Sequence, residues 1–324
     1  AVERVLRFPA VASKHFLITI GDRSITGLVA REQMVGPWQV PVADAAVTFS
    51  GYRGYEGEAF AMGERSPLAL IDPAASARMA ICEALSNLCS APVPQLRRVV
   101  LSANWMAACG DSAEDQALFD AVRVAGMELC PALGIAVPVG KDSLSMRTRW
   151  EDHEVVSPMT LIVSAFAPSL DVRGTLTPQL QREADTRLLL VDLGNGRNRL
   201  GGSALAQCYG QLGDRAPDLD APALFVEFFN GVQALSEAGI LKAYHDRSDG
   251  GMFACAAEMA FAGRCGVDLD ISSLGNDALA ALFSEEIGVV IQHRCADAQA
   301  IDSILEAHQL SSIAHPIGRV NADR

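Results

Sequence analysis

Basic residues are scarce in this sequence. Its 324 residues include 26 lysines and arginines against 39 acids, giving a formal net charge of -13, and no basic cluster exceeds the pair Arg97-Arg98. Proteins that grip a nucleic-acid backbone carry a basic face, so no nucleic-acid partner is expected. A nucleotide stays open, because a magnesium ion or local lysines can reverse the sign within one pocket. A Cys-x-x-Cys pair is also missing. The eight cysteines, Cys82, Cys89, Cys109, Cys130, Cys208, Cys255, Cys265 and Cys295, are scattered, most of them in apolar runs such as MAICEALSNLC and GMELCPALG. That pattern speaks against zinc and for reduced core thiols in a cytosolic protein. No secretory signal opens the chain and no apolar run reaches membrane-spanning length, so a soluble, cytoplasmic protein without a membrane partner is expected. The Walker A pattern and the Gly-x-Ser-x-Gly elbow are absent, which removes the P-loop and hydrolase readings. Short repeats and low-complexity segments are absent too. The chain opens on alanine with an uncapped helical pattern, as a tag remnant or a cut from a longer chain would.

What is present suits about two domains, each able to bury a core. Half the residues are hydrophobic, which argues against disorder. A short opening helix and an extended step at Phe8-Pro9 precede HFLITI, which reads as a strand closed by a Gly21-Asp22 turn. WQVPVADAAVTFS, RRVVLSANWM and MTLIVSAFAP read as strands, and IAVPVGKDS as a strand running into a glycine turn. DPAASARMAICEALSNLCSA is a helix with Asp72 as N-cap and Pro73 in its first turn. SAEDQALFDAVRVAGMELCPALG is a long helix ending near Gly134. DVRGTLTPQLQREADT is polar and proline-bearing, as a linker would be. A second unit follows: the strand RLLLVDLG, the glycine-rich NGRNRLGGSALAQ, a helix around FVEFFNGVQALSEAG, an acidic turn with its helix, then ALFSEEIGVVIQHR, a last helix and the strand HPIG. Short, antiparallel-prone strands among helices predict a layered α+β fold rather than one doubly wound sheet.

The acidic turn, HDRSDGG, poses the chemical question. A helix N-terminus favours a nearby anion by only about 0.3–1 kcal/mol. Two carboxylates forced to about 4 Å repel by roughly 4 kcal/mol at an effective dielectric near 20. Either Ser248 or Asp249 is an N-cap and the other acid points to solvent, or a cation joins the acids. Elsewhere, Glu83 and Asn87 share one helix face at i,i+4. Asp44 lies among small and apolar neighbours where an unpaired burial would be costly. Asp44, Glu83, Asn87 and Asp246 are hard oxygen donors of the kind magnesium takes with phosphate and water. LGGSAL and PVGKDSLSM are candidate phosphate contacts, the first a weak signal, the second placing Lys141, Asp142, Ser143 and Ser145 side by side.

Together, ASKHFLITIGDRSITGLVAREQMVGPWQVPVADAAVT, SARMAICEALSN, LSANWMAA, PVGKDSLSM, LGGSAL and HDRSDGG resemble, in order, the large single-chain type of phosphoribosylformylglycinamidine synthase, in the aminoimidazole ribonucleotide synthetase superfamily. That family is a ligase of purine biosynthesis. It makes formylglycinamidine ribonucleotide from formylglycinamide ribonucleotide, ATP and glutamine, activating the amide oxygen as an iminophosphate from which ammonia then displaces phosphate. The resemblance implies the second half of the synthetase core: an N-terminal synthetase-type α/β domain at 1–172, whose sheet pairs with a partner half, and a C-terminal one at 173–324. It also implies an auxiliary site with magnesium on Asp44, Glu83, Asn87 and Asp246, and ATP or ADP touched by Lys14, Ala43 and Ser248. Lys141, Asp142 and Ser143 would face the catalytic site shared with the other half. The first half's glycine-rich loop and histidine, and the glutaminase domain, have no counterpart here. The chain alone is therefore expected to be inactive, and to form homodimers or larger species without its natural partners. Two alternatives stand beside this reading. One is a stand-alone synthetase or kinase of the superfamily, such as selenophosphate synthetase or thiamine monophosphate kinase; the other is a purely structural nucleotide-binding module.

Overall fold

The computed structural model describes residues 1–21, 23–24 and 27–321. Its first unit begins with the helices α1 (Val2–Leu6) and α2 (His15–Ile20) and is built on the strands β1 (Val29–Arg31), β2 (Ala46–Phe49), β3 (Gly57–Glu64), β4 (Val100–Met106) and β5 (Ala136–Ser143). A separate hairpin, β6 (Arg147–Trp150) and β7 (His153–Val156), precedes β8 (Thr160–Ser169). The six-stranded sheet runs β1-β2-β3-β8-β4-β5 and is antiparallel except between β4 and β5. Three helices belong with it: α3 (Pro73–Leu88), α4 (Ser112–Arg123) and α5 (Cys130–Leu133). The second unit holds β9 (Thr186–Asp192), β10 (Leu241–Asp246), β11 (Gly266–Leu269), β12 (Gly288–Arg294) and β13 (Ala314–Asn321), ordered β10-β12-β9-β13-β11 and wholly antiparallel. Its helices are α6 (Ala204–Cys208), α7 (Pro222–Glu237), α8 (Gly251–Gly263), α9 (Ala278–Phe283) and α10 (Ala298–Ala307). The layered α+β fold expected from the sequence is therefore the one observed.

Strand β3 explains how the first sheet is dressed. Gly57, Ala59, Ala61 and Gly63 point inward, and Glu58, Phe60, Met62 and Glu64 point outward. The small residues let α3 lie close: a Cβ on Gly63 would meet the Ala80 carbonyl oxygen at 2.2 Å. The large apolar side chains thus fall on the open face. Phe60, Phe166 and Val100 form a cross-strand row, with the two rings stacked at 6.1 Å. Met62 and Val139 extend it, being 58% and 62% exposed.

The two units share one core, which runs from Val47 and Leu85 to Phe228 and Ile291. Tyr244, within β10, is fully buried and donates its hydroxyl hydrogen to the Ser86 carbonyl of α3 at 2.6 Å. Arg78 of α3 grips Asp218 of the second unit with two bonds of 2.6 Å. The stretch between the sheets is tied down, with the Thr177 carbonyl accepting from the Tyr244 N–H at 3.0 Å along the β10 edge. Among the described residues no helix is long and apolar enough to cross a membrane.

Several local expectations fail, each for a physical reason. HFLITI forms the helix α2 instead of a strand, started by Ser13 accepting from the His15 N–H and carried by Thr19 bonding back to the His15 carbonyl. A strand needs a neighbouring edge, and this segment is paired with none among the described residues. Asp22, of the turn expected there, lies outside the described residues. WQVPVADAAVTFS is a strand only from Ala46, so Asp44 sits in the loop before β2. β5 passes straight through Gly140, where a Cβ would meet the Ala103 carbonyl oxygen at 2.2 Å. That glycine serves close strand approach, not a turn. The long helix contains a π-helical stretch at Val124–Leu129 before it ends at Gly134, whose φ of 68° is left-handed. Asp72 caps α3 as expected, accepting from the Ala75 N–H.

Candidate functional site: a buried acid cluster beside two cavities

Asp246 ends β10 and Asp44 ends the loop that enters β2, so the two sheets bring their carboxylates together with His245 between them. One ligand-capable atom from each of Asp44, His245 and Asp246 lies within 4.8 Å of the others. The Asp44 side chain is fully buried and Asp246 is 4% exposed. Asp44 Oδ1 accepts from His245 Nδ1 at 2.7 Å and from the Asp246 N–H at 3.1 Å. His245 Nε2 meets Glu258 Oε2 at 2.8 Å. Both ring nitrogens face carboxylates, an arrangement that suits the imidazolium. Burial works against that charge more than any one neighbour favours it, but Asp44, Cys255 and Glu258 together outweigh it and hold the pKa well above the ordinary value.

Asp44 Oδ2 and Asp246 Oδ2 are buried and take no hydrogen bond from any described residue. Orphaned buried carboxylate oxygens are costly and call for a partner. Burial, and next the charge of Asp44, push the Asp246 carboxyl well above its usual range. Glu83 is close enough to add to that shift, and is itself raised to about 8 by burial, with Asp249 adding to the shift and Arg65 opposing it. Oxygen donors that crowd and resist ionisation together fit a hard divalent cation such as magnesium.

Glu83 and Asn87 clamp α3 to the end of β3. Glu83 Oε2 accepts from the Glu64 N–H at 2.7 Å, and Asn87 Nδ2 donates to the Met62 carbonyl at 3.2 Å. Both line a cavity of about 250 Å³ with Ser248, Asp249 and Glu258. A second cavity of about 420 Å³ shares Ala10 and Glu258 with the first, and is walled by Val11, Val40, Pro41, Lys14 and Phe261. Lys14 Nζ bonds the Ala10 carbonyl at 2.9 Å, and also the Ala12 carbonyl. Ala43 links Val42, on the wall of this cavity, to Asp44. The fold therefore sets Glu83, Asn87 and Ser248 on the first cavity and Lys14 on the second, while Asp44 and Asp246 adjoin them through His245, whose partner Glu258 lines both.

Lys141, Asp142 and Ser143 stand apart. They lie on the edge strand β5, three strand positions from β3, about 14 Å at ordinary interstrand spacing. Lys141 Nζ donates to Ser143 Oγ at 2.7 Å on this exposed edge. Lys141 and Asp142 border a shallow concavity of about 290 Å³ with Trp105.

The acidic turn corrects the simple capping reading. Gly250, with a φ of 86°, is the N-cap of α8, and neither Ser248 nor Asp249 caps it. The Gly250 N–H instead donates to Glu285 Oε1 at 2.8 Å, as does the Ala204 N–H at the start of α6. The other Glu285 oxygen meets Arg65 at 2.6 Å, and Arg65 also bonds Asp249 at 2.9 Å and approaches Glu83 at 3.7 Å. LGGSAL thus spends its N–H groups internally: Gly201 on Arg215, Gly202 on Leu212 and Ala204 on Glu285. Burial alone would lower the Arg65 pKa, but Glu285, Asp249 and Glu83 hold it above its ordinary value. Sequence reading missed Arg65, Glu285, His245 and Glu258. The signal available for Glu285 was the double acid inside the apolar run FSEEIGVV, which cannot be buried unpaired.

Comparison with known proteins adds family and fold. Residues 13–168 match the FGAR-AT PurM N-like domain, and residues 184–324 match the C-terminal domain of AIR synthase related proteins. Thermotoga maritima PurL complexed with FGAR superposes with a TM-score of 0.67 at 14% identity, over 87% of this chain and 44% of that one. Thermotoga maritima PurLQS gives 0.63 at 12%, over 83% and 41%. The chain thus spans less than half the length of these proteins. E. coli HypE, a hydrogenase maturation protein, gives 0.59 at 20%, over 82% of this chain and 81% of its own. At these identities the likeness is one of fold. Taken with the two domain matches, which follow one another along nearly the whole chain, it shows that the chain belongs to the AIR synthase-like superfamily.

Proposed function

We propose that this chain is the cation- and nucleotide-holding second half of a large, single-chain FGAR amidotransferase core, a ligase that converts formylglycinamide ribonucleotide to formylglycinamidine ribonucleotide in cytoplasmic purine biosynthesis. The observation that carries the reading is the pair of buried, orphaned oxygens on Asp44 and Asp246 beside two neighbouring cavities, in a chain whose first domain matches the FGAR-AT type. Magnesium bound there would neutralise nucleotide phosphate charge. Asp44, Glu83, Asn87 and Asp246 would hold it. Ser248, Lys14 and Ala43 would touch the ADP or ATP, with Lys14 turning from the carbonyls it now bonds. The PurL structures with ATP and ADP support a nucleotide as the ligand class.

Phosphoryl transfer to the amide oxygen needs substrate, ATP and metal at one place, because positioning supplies much of the rate. This chain offers one wall of such a place, Lys141, Asp142 and Ser143 on the β5 edge. The opposite wall would come from the N-terminal half, and ammonia from the glutaminase domain. The chain alone is expected to form no formylglycinamidine ribonucleotide from ammonia, ATP and magnesium. Adding the N-terminal half restores turnover, and Asp142→Ala then removes it. Product formation measured with and without the ribonucleotide checks this, and turnover by the isolated chain would overturn the half-enzyme assignment. HPLC of the denatured, purified chain tests whether ADP is retained.

The open face of the first sheet is the surface we assign to the partner half. Exposed Phe60, Met62, Phe166 and Val139 make an apolar patch that soluble chains tend to cover. Without that half, light scattering should find homodimers or larger species, and Phe166→Glu should shift them toward monomer. A monomeric wild type at high concentration counts against the assignment. The match to HypE over 81% of its own length supports a second reading, a stand-alone ATP-using member of the superfamily. Substrate-independent ATP turnover by the isolated chain would favour it.

A further inference from the structure

His245 is not among the oxygen donors, yet it determines which of their oxygens are left free. Its Nδ1 sits 2.7 Å from Asp44 Oδ1 and 3.8 Å from Asp246 Oδ1. The Asp246 N–H takes a second bond to the same Asp44 oxygen at 3.1 Å. Behind the ring, Glu258 holds Nε2 at 2.8 Å and so fixes its orientation. Asp44 Oδ1 is thus engaged twice, while Oδ2, fully enclosed, accepts nothing from the described residues, and Asp246 is left with the same free oxygen, Oδ2.

We infer that His245 is a specificity-determining residue that makes Asp44 a one-oxygen ligand, so that the site selects magnesium over calcium. The inference rests on the cation site proposed above. Magnesium takes six ligands in a tight octahedron and accepts single carboxylate oxygens, whereas calcium takes six to eight and often engages both oxygens of a carboxylate. Two-oxygen binding by Asp44 would break the His245 bond and the Asp246 N–H bond together. The buried ring leaves little room for Asp44 to swing, since His245 is only 8% exposed.

The test measures the affinity of the purified chain for magnesium and for calcium as chlorides, without nucleotide, each by competition with manganese followed by electron paramagnetic resonance. Wild type should prefer magnesium. His245→Gln, whose amide stands near the position of Nε2, releases Asp44 Oδ1 and should lower the magnesium-to-calcium preference by about tenfold, within the range typical of groups that orient metal ligands. His245→Asn, whose amide nitrogen stands where Nδ1 does, should keep the preference within about twofold of wild type, since an orienting bond is worth more than that. Glu258→Leu, at a partly exposed position where a fold defect is less of a concern, should lower it in the same direction as Gln by freeing the ring. A purely structural role would weaken both cations alike, and an unchanged preference in His245→Gln and Glu258→Leu overturns the inference. A wild type that binds neither cation overturns the cation site itself.

Discussion

Asp246→Asn lowers magnesium-dependent ADP affinity on the order of a hundredfold, because removing one member of a buried, charged set typically costs 2–5 kcal/mol. The same substitution has the opposite effect when magnesium is chelated. Asp246 stands beside Asp44 and Glu83, and burial with their charge already drives its carboxyl well above the ordinary range. A neutral amide removes that repulsion, so the chain in EDTA should melt no lower than wild type. Calorimetry with magnesium and ADP, paired with thermal denaturation in EDTA, reads the two effects separately. Equal ADP affinity in both proteins would remove the cation site. Lost affinity together with a lower melting temperature in EDTA would mean a damaged fold, not a missing ligand.

Arg65→Met destabilises the chain by about 3–5 kcal/mol, the usual cost of stranding buried charges by deleting their partner. Arg65 is 4% exposed and Glu285 2% exposed, with 2.6 Å between them. The arginine also bonds Asp249 and approaches Glu83, so its loss leaves three acids without their shared cation. Adding Glu285→Gln to Arg65→Met should recover a substantial part of the loss, since the buried pair is then replaced by neutral groups. The amide oxygen can still accept from the Ala204 and Gly250 N–H groups. Urea denaturation of the three proteins checks both signs. A single variant within about 1 kcal/mol of wild type would show that the acids find other compensation, as exposed pairs do.

The sequence by itself determined what lies within a helical turn or along one face. Asp72 and Pro73 start α3, Gly134 ends the long helix, and Glu83 and Asn87 fall four apart on one side, because such geometry depends only on neighbouring residues. The layered α+β class was legible in the alternation of short strands with helices, and the candidate oxygen donors in their residue types. Tertiary structure alone decided whether HFLITI would be strand or helix, since a strand exists only beside another edge. It decided that Gly250, not Ser248 or Asp249, caps α8, because Glu285 arrives from 35 residues away to take the N–H. It also paired Asp44 with His245 across 201 residues and Arg65 with Glu285 across 220. Buried charges choose partners by proximity in the packed core, where low dielectric makes the choice energetic, and that proximity has no trace in local sequence.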